Sequence, residues 1–212
     1  MEKEIILAPE ELFYLAKTCG GDHLNYDYIA MVQHVGKKAE VLFDRCMTAL
    51  EEKGLVEDNW GEITVTDLTE TLLSPIWNGS FDATAALVTL GEDMTEQTLY
   101  FHRLDGRIIM CSRQADGLHI SQVTEEDLIG LALSLMPMGY EQRPMPEDAV
   151  INAADPKQMI LLKNVWSDGH EARIEQFYLI DDRICRKLGD EGYQIIDAQT
   201  FLGLALTVLG GR

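Results

Sequence analysis

Two stretches of the chain carry the same order of strand, turn and helix signals. Leu104-Asp105-Gly106-Arg107-Ile108 matches Ile180-Asp181-Asp182-Arg183-Ile184, and Gly130-Leu131-Ala132-Leu133 recurs as Gly203-Leu204-Ala205-Leu206. Both matches sit at equivalent places in a longer pattern. Alternation with period two over 83–91, 97–104, 107–114 and 117–122 predicts four consecutive strands. They are broken at Asp105-Gly106 and Asp116-Gly117, dipeptides that supply the positive φ angles of tight hairpins. Thr124-Glu125-Glu126-Asp127 then opens a helix through Leu128 to Met136, stopped by Pro137. The order returns with strands at 158–166, 172–180, 183–188 and 193–196, turns at Asp168-Gly169, Asp181-Asp182 and Glu191-Gly192, and a helix from about Ala198 to Leu209. The offset drifts from 76 to 73 residues, which needs only short gaps in the turns. An internal duplication accounts for the correspondence.

A four-strand meander followed by one helix can cover only one face of its sheet with that helix. Two such units are expected to pair about an approximate twofold axis, pool their sheets and bury the paired Gly-Leu-Ala-Leu helix faces. Gly130 with Ala132, and Gly203 with Ala205, would let the helices approach closely. The predicted fold class is α+β: antiparallel sheets with helices, an internally duplicated β-meander-plus-helix unit with pseudo-twofold symmetry, and an N-terminal helical, winged-helix-like segment. The predicted divisions are 1–79 (N-terminal helical segment), 80–140 (first unit) and 141–212 (second unit), within one compact globular domain. Arg143-Pro144-Met145-Pro146 links the units, and 147–154 is expected to add a short helix.

The first third reads as helical. Pro9-Glu10-Glu11 starts a segment with Leu12, Phe13, Leu15 and Ala16 on one face, ended by Gly20-Gly21. Tyr26 to Val35 is a second predicted helix. Lys38 to Lys53 is a third, with Gly54 at its C′ position. Ile63-Thr64-Val65 reads as a short strand, and Asp67 begins a helix carrying Leu68, Leu72 and Leu73. Trp77-Asn78-Gly79 has the W-x-G form seen in small helical-hairpin substrates of type VII secretion. Its position between a helix and strands fits a helix end anchored by a buried tryptophan better.

Charge narrows the function. With 17 basic and 36 acidic side chains the net charge is −19, a field that repels nucleic acid and anionic lipid and attracts basic partners. Residues 1–66 carry six basic and thirteen acidic side chains, net −7. An acidic winged-helix-type regulatory or DNA-associated protein is thus the alternative reading, and charge disfavours its DNA contacts. The N-terminus, Met1-Glu2-Lys3-Glu4, has no secretory-signal character. The apolar stretches Leu128–Met138 and Phe201–Leu209 are about half the length that spans a bilayer. Cys19, Cys46, Cys111 and Cys185 form no CxxC pair and read as reduced, mostly buried thiols. These features predict a cytoplasmic protein without membrane insertion.

No chemical motif nominates a catalytic, metal or cofactor site. His23, His34, His102, His119 and His170 lack metal-ligand spacing. His102 and His119 lie on strands of one meander, and an enzyme or small-ligand reading would rest on that pair. Glu51-Glu52, Glu125-Glu126 and Asp181-Asp182 fit a helix face, a first helical turn and a turn tip better than acid–base work. No GxGxxG, Walker loop or GxSxG elbow is present. The expectation is a non-enzymatic protein without cofactors.

The leucine-rich first helix (Pro9-Glu10-Glu11-Leu12-Phe13-Tyr14-Leu15-Ala16), the helix ending Lys53-Gly54-Leu55 and the two duplicated units together resemble the EspG-like proteins associated with type VII (ESX-type) secretion. The resemblance implies a secretion-specific chaperone or adaptor that holds a small helical secreted protein soluble for export. Partner contacts would then fall on the first meander's central hairpin, with Tyr100, His102, Arg107 and Met110, and on the terminal helix, with Phe201 and Leu204. Nucleic acid is not an expected partner, and a homodimer is an open possibility.

Overall fold

The computed structural model describes residues 4–21, 24–32, 39–60, 62–91, 93–136, 150–151, 156–167, 171–180, 183–189 and 192–211. The fold is α+β, with a large antiparallel sheet and, among the described residues, six helices. In chain order the elements begin with β1 (Ile5–Leu7), α1 (Pro9–Thr18), α2 (Tyr26–Met31), α3 (Ala39–Glu52), β2 (Val56–Asn59), β3 (Glu62–Val65) and α4 (Asp67–Asn78). The first meander is β4 (Phe81–Thr89), β5 (Thr95–Leu104), β6 (Arg107–Gln114) and β7 (Gly117–Val123), followed by α5 (Glu125–Ser134). After β8 (Val150–Ile151) the second meander is β9 (Gln158–Trp166), β10 (Ile174–Ile180), β11 (Arg183–Lys187) and β12 (Tyr193–Ile195), followed by α6 (Ala198–Gly210).

The main sheet has the order β1-β7-β6-β5-β4-β9-β10-β11-β12-β8. Its middle is palindromic: each meander runs outward from its own first strand, and the two first strands pair. The β4–β9 ladder is antiparallel over nine residues, from Phe81↔Trp166 to Thr89↔Gln158. The predicted strands of both meanders and both following helices are present at close to their expected bounds. The turns at Asp168-Gly169 and Asp181-Asp182 and the linker at 143–146 lie outside the described residues.

One expectation is corrected, and two strands are present where the sequence pattern predicts none. Within 147–154, Val150–Ile151 is a strand and not a helix, because it pairs with β12 (Tyr193↔Ile151, Gln194↔Val150) and β-branched residues suit that ladder; the rest of that stretch is outside the described residues. Ile5–Leu7 pairs with β7, although three residues are too few to show a period. Val56–Asn59 completes a hairpin with β3, although Glu57, Asp58 and Asn59 give it no apolar alternation.

The chain divides into two compact units, Met1–Ser80 with His102–Gln122, and Phe81–Phe101 with Val123–Arg212. In the first, α1 buries Leu12, Leu15 and Ala16 and packs against α3. Glu11 is buried (7% exposed) yet satisfied: it accepts from the Ala8 N–H at 2.8 Å and from Lys53 Nζ at 2.5 Å. Lys53 Nζ also donates to the Ile6 carbonyl at 3.0 Å, so one ammonium ties the end of α3 to α1 and β1. Trp77 is buried, at 1% exposure, and ends α4 as its sequence context predicts. Its side chain lies so close to Gly21 that a Cβ there would sit 2.8 Å from the indole.

β1 is also held electrostatically. His119, opposite Ile6 in the β1–β7 register, places Nδ1 2.9 Å from Glu4 Oε1 and Nε2 2.8 Å from Asp116 Oδ1. Hydrogen bonds to Asp116 and then Glu4 raise the His119 pKa, and the His119 hydrogen bond lowers that of Asp116. A raised histidine pKa contributes stability that is fully present below the unfolded value, near 6.5, and is lost as pH rises through the folded value. The depressed Asp116 contributes above its unfolded value and loses that contribution in acid. The melting temperature should therefore decline more steeply between pH 6.5 and 8 in the wild type than in His119→Gln, measured by circular dichroism; parallel profiles would show that the cluster does not hold β1.

Candidate functional site

The second unit carries the most distinctive surface, on α5 and α6. Both helices start with side-chain caps. Thr124 Oγ1 accepts from the Asp127 N–H at 3.2 Å, while Asp127 Oδ2 accepts from the Thr124 N–H and from the Thr124 hydroxyl, each at 2.7 Å; these last two bonds lower the Asp127 pKa. Asp197 Oδ1 accepts from the Thr200 N–H at 2.6 Å, and its pKa is likewise lowered by that bond. The α6 end turns at Gly211 (φ 65), where a Cβ would come within 2.9 Å of Phe81 and 3.0 Å of Trp166. Left-handed geometry and lack of space therefore both require glycine there.

α6 lies on β9, β10 and β4 and packs beside α5. Its inner face is Phe201, Ala205, Val208 and Leu209, each at most 1% exposed. Phe201 meets Phe177 edge-on, with centroids 4.9 Å apart. Buried Asn164 fixes the last turn: its Nδ2 donates to the Val208 carbonyl at 3.0 Å, and its Oδ1 accepts from the Arg173 N–H at 2.9 Å. In α5 the inner residues are Leu128 and Ala132, both at 0% exposure.

Beyond the acidic first turn of α5, where Glu125 and Glu126 are exposed, the outer faces carry no charge and several apolar groups. Ile129 and Leu133, one turn apart on α5, are 44% and 48% exposed; Leu202, Leu204 and Leu206 on α6 are half-buried. No charged residue occurs in 128–136 or 198–211, in a chain with net charge −19. The predicted close approach through Gly130 and Gly203 is corrected here. Both glycines are exposed, and a Cβ on either would meet nothing within 4 Å. Ala132 and Ala205 are the small residues turned inward, because the helical repeat puts position i+2 on the opposite side.

The candidate partner-contact residues are dispersed. In the second unit, Leu204 is on the uncharged helix surface, Phe201 is on the inner face of the same helix, and Tyr100 is buried on β5 (5% exposed). In the first unit, His102 is fully buried, its Nε2 2.7 Å from the Tyr28 hydroxyl. Met110 is half-buried on β6. Arg107 lines an open groove of about 400 Å³ with Cys19, Glu70, Ser74, Trp77 and Asn78. Its Nη1 donates to the Thr71 carbonyl. That carbonyl is the one left without a helical donor by Pro75, four residues on, which has no N–H. Arg107 thus completes α4. Burial first, and then Glu70, push the Cys19 thiol up to about 11, which keeps it protonated and unreactive at neutral pH.

The other titratable clusters are also engaged internally. His102 and His119 have separate partners, and β6 lies between their strands. Glu175, 5% exposed, is gripped by Arg186 at 2.7 and 2.8 Å and by Arg173 at 3.2 Å. Among the described residues no three His, Cys, Asp or Glu side chains are grouped to hold a metal ion. None of the helices described is long and apolar enough to cross a membrane.

This arrangement is similar in fold to a solved secretion chaperone. The structure of the Mycobacterium tuberculosis type VII secretion system chaperone EspG5 in complex with a PE25-PPE41 dimer is similar over 98% of this chain and 96% of that one, with a TM-score of 0.62 and 12% sequence identity. Identity that low establishes a shared fold alone. No protein-family model and no curated protein sequence matches the chain.

Two outcomes follow from these contacts. Glycine inside a helix costs about 1 kcal/mol relative to alanine, and both sites have open space. Gly130→Ala and Gly203→Ala should each raise unfolding stability by up to ~1 kcal/mol in urea titrations; a loss would mean the glycines are needed for packing. Arg107→Ala should cost about 0.5–1 kcal/mol, since water can replace the lost donor at this exposed carbonyl. It should cost less in a Pro75→Ala background, where a backbone N–H returns, and equal costs in a double-mutant cycle would refute the link.

Proposed function

We propose that the chain is a non-enzymatic cytosolic binding protein, a chaperone or adaptor that holds a helical partner soluble for type VII-like export. The observation that carries this reading is the outer surface of α5 beyond its first turn and of α6, which holds no charged side chain. Exposed Ile129 and Leu133 offer apolar area, and outward Gly130 and Gly203 leave room for another backbone to approach. An amphipathic helix laid into such a surface would use both. Leu204 belongs to that surface, and Phe201 anchors the helix that presents it.

The similarity in fold to EspG5 supports this reading, since the structure of that chaperone is of its complex with a PE25-PPE41 dimer. The internal pairing of His102, His119 and Glu175 also favours binding over catalysis, because these side chains stabilise the fold instead of converging on a cavity. The alternative DNA-associated reading is disfavoured by Glu57, Asp58 and Glu62, exposed on the β2–β3 hairpin where a DNA-binding wing would place cations.

Co-expression with the helical-hairpin proteins exported by the same cell, followed by size-exclusion chromatography with light scattering, tests the proposal. One partner should co-elute at fixed stoichiometry. Ile129→Glu combined with Leu133→Glu should abolish that complex while changing stability by no more than about 0.5 kcal/mol. A complex that survives the double substitution, or no complex with the wild type, would reject the assignment.

A further inference from the structure

The β2–β3 hairpin ends in a side chain that does no packing in this chain. Trp60 is fully exposed, at 105%, whereas Trp77 is buried and Trp166 stacks edge-on against Phe81 with centroids 4.6 Å apart. A single exposed leucine would be ordinary. A wholly exposed tryptophan is not, and this one also holds φ at 60°, a value that bulky side chains disfavour and glycine or asparagine adopt readily. Neither burial nor backbone preference accounts for tryptophan at this position.

The charge on the hairpin is of one sign. Glu57, Asp58 and Glu62 are exposed on the hairpin, and Glu51 and Glu52 are exposed at the end of α3. The basic residue within 51–62 is Lys53, whose ammonium is directed to Glu11 and the Ile6 carbonyl. Strand alternation puts Glu57 and Glu62 on one face of the ribbon, in the register Glu57↔Thr64 and Asn59↔Glu62. An exposed indole at the tip of a hairpin whose strands carry carboxylates suits a cation that is also flat or aliphatic. The ring attracts it through its quadrupole, and the carboxylates add charge-assisted hydrogen bonds.

We propose that the hairpin tip is a docking point for a basic polypeptide segment, with Trp60 stacking on an arginine or lysine head group and Glu57 and Glu62 pairing with it. The same charges repel nucleic acid and anionic membrane surfaces. The site is in the first unit and is independent of the α5–α6 surface, so it can be tested without the helical partner.

The probe is an oligo-arginine peptide, with an oligo-glutamate peptide of equal length as control, titrated into the full chain and followed by calorimetry and by tryptophan emission. The wild type should bind the basic peptide alone, more weakly at high salt, with an emission change that Trp60→Phe removes. Trp60→Ala should weaken binding about threefold to thirtyfold, the range expected for loss of one cation–π contact. Glu57→Gln with Glu62→Gln should weaken it further. Trp60→Gly should melt higher than the wild type while binding as poorly as Trp60→Ala, which separates lost binding from lost folding. Equal affinity of the wild type and Trp60→Ala would mean that the net charge alone attracts the peptide, and would overturn the proposal. Trp60-dependent binding to zwitterionic lipid vesicles without peptide binding would overturn it in favour of a membrane contact.

Discussion

The β4–β9 ladder is the interaction on which the second unit is built. An antiparallel pair has a local twofold axis of its own, here near Ala85 and Leu162, the middle of a nine-residue register. Each meander grows away from that axis, which gives the strand order its palindrome. Strand alternation places Ala83 and Ala85 on the same face as Leu162, Asn164 and Phe177, the face on which α6 lies. On that face Phe201 of α6 meets the ring of Phe177 edge-on. Asn164 then fixes the end of the helix through one carbonyl, at the cost of a buried amide whose hydrogen bonds are both made.

Side chains of this protein that carry chemistry are largely committed to holding the fold. Buried carboxylates are matched by cations: Glu11 by Lys53, Glu175 by Arg173 and Arg186. Buried His102 has its tyrosine hydroxyl. Such pairs lose little net free energy when complete and a great deal when one member is missing. The helical surface of α5 beyond its first turn and of α6 is built the opposite way, without charged side chains and with Ile129 and Leu133 left exposed.

The duplicated pattern made the meanders, the hairpin turns and the helix starts legible, because period-two alternation, Asp-Gly and hydroxyl caps are local signals. Segments stabilised by distant partners were not. β1 exists because β7 offers it an edge, β2 because β3 lies across a two-residue turn, and β8 because β12 takes it up. The candidate site was readable in part. The lack of charge in 128–136 and 198–211 is visible in the sequence, but repeated Gly-Leu-Ala-Leu does not reveal which of its small residues turns inward. Arg107 was singled out as a contact residue, whereas its place is set by a proline 32 positions earlier. Trp60 gave no signal until its exposure and backbone angle were known.

The sheet order terminates at β1 and β8, strands of three and two residues. Open edges invite further strands and, in a crowded solution, lead towards aggregates. Short termini offer such a strand few groups to pair with. At β1 the Lys53 ammonium adds a second obstacle, since its bond to the Ile6 carbonyl occupies an acceptor and leaves a charge beside it. The lysine that locks α1 to α3 therefore also guards that edge.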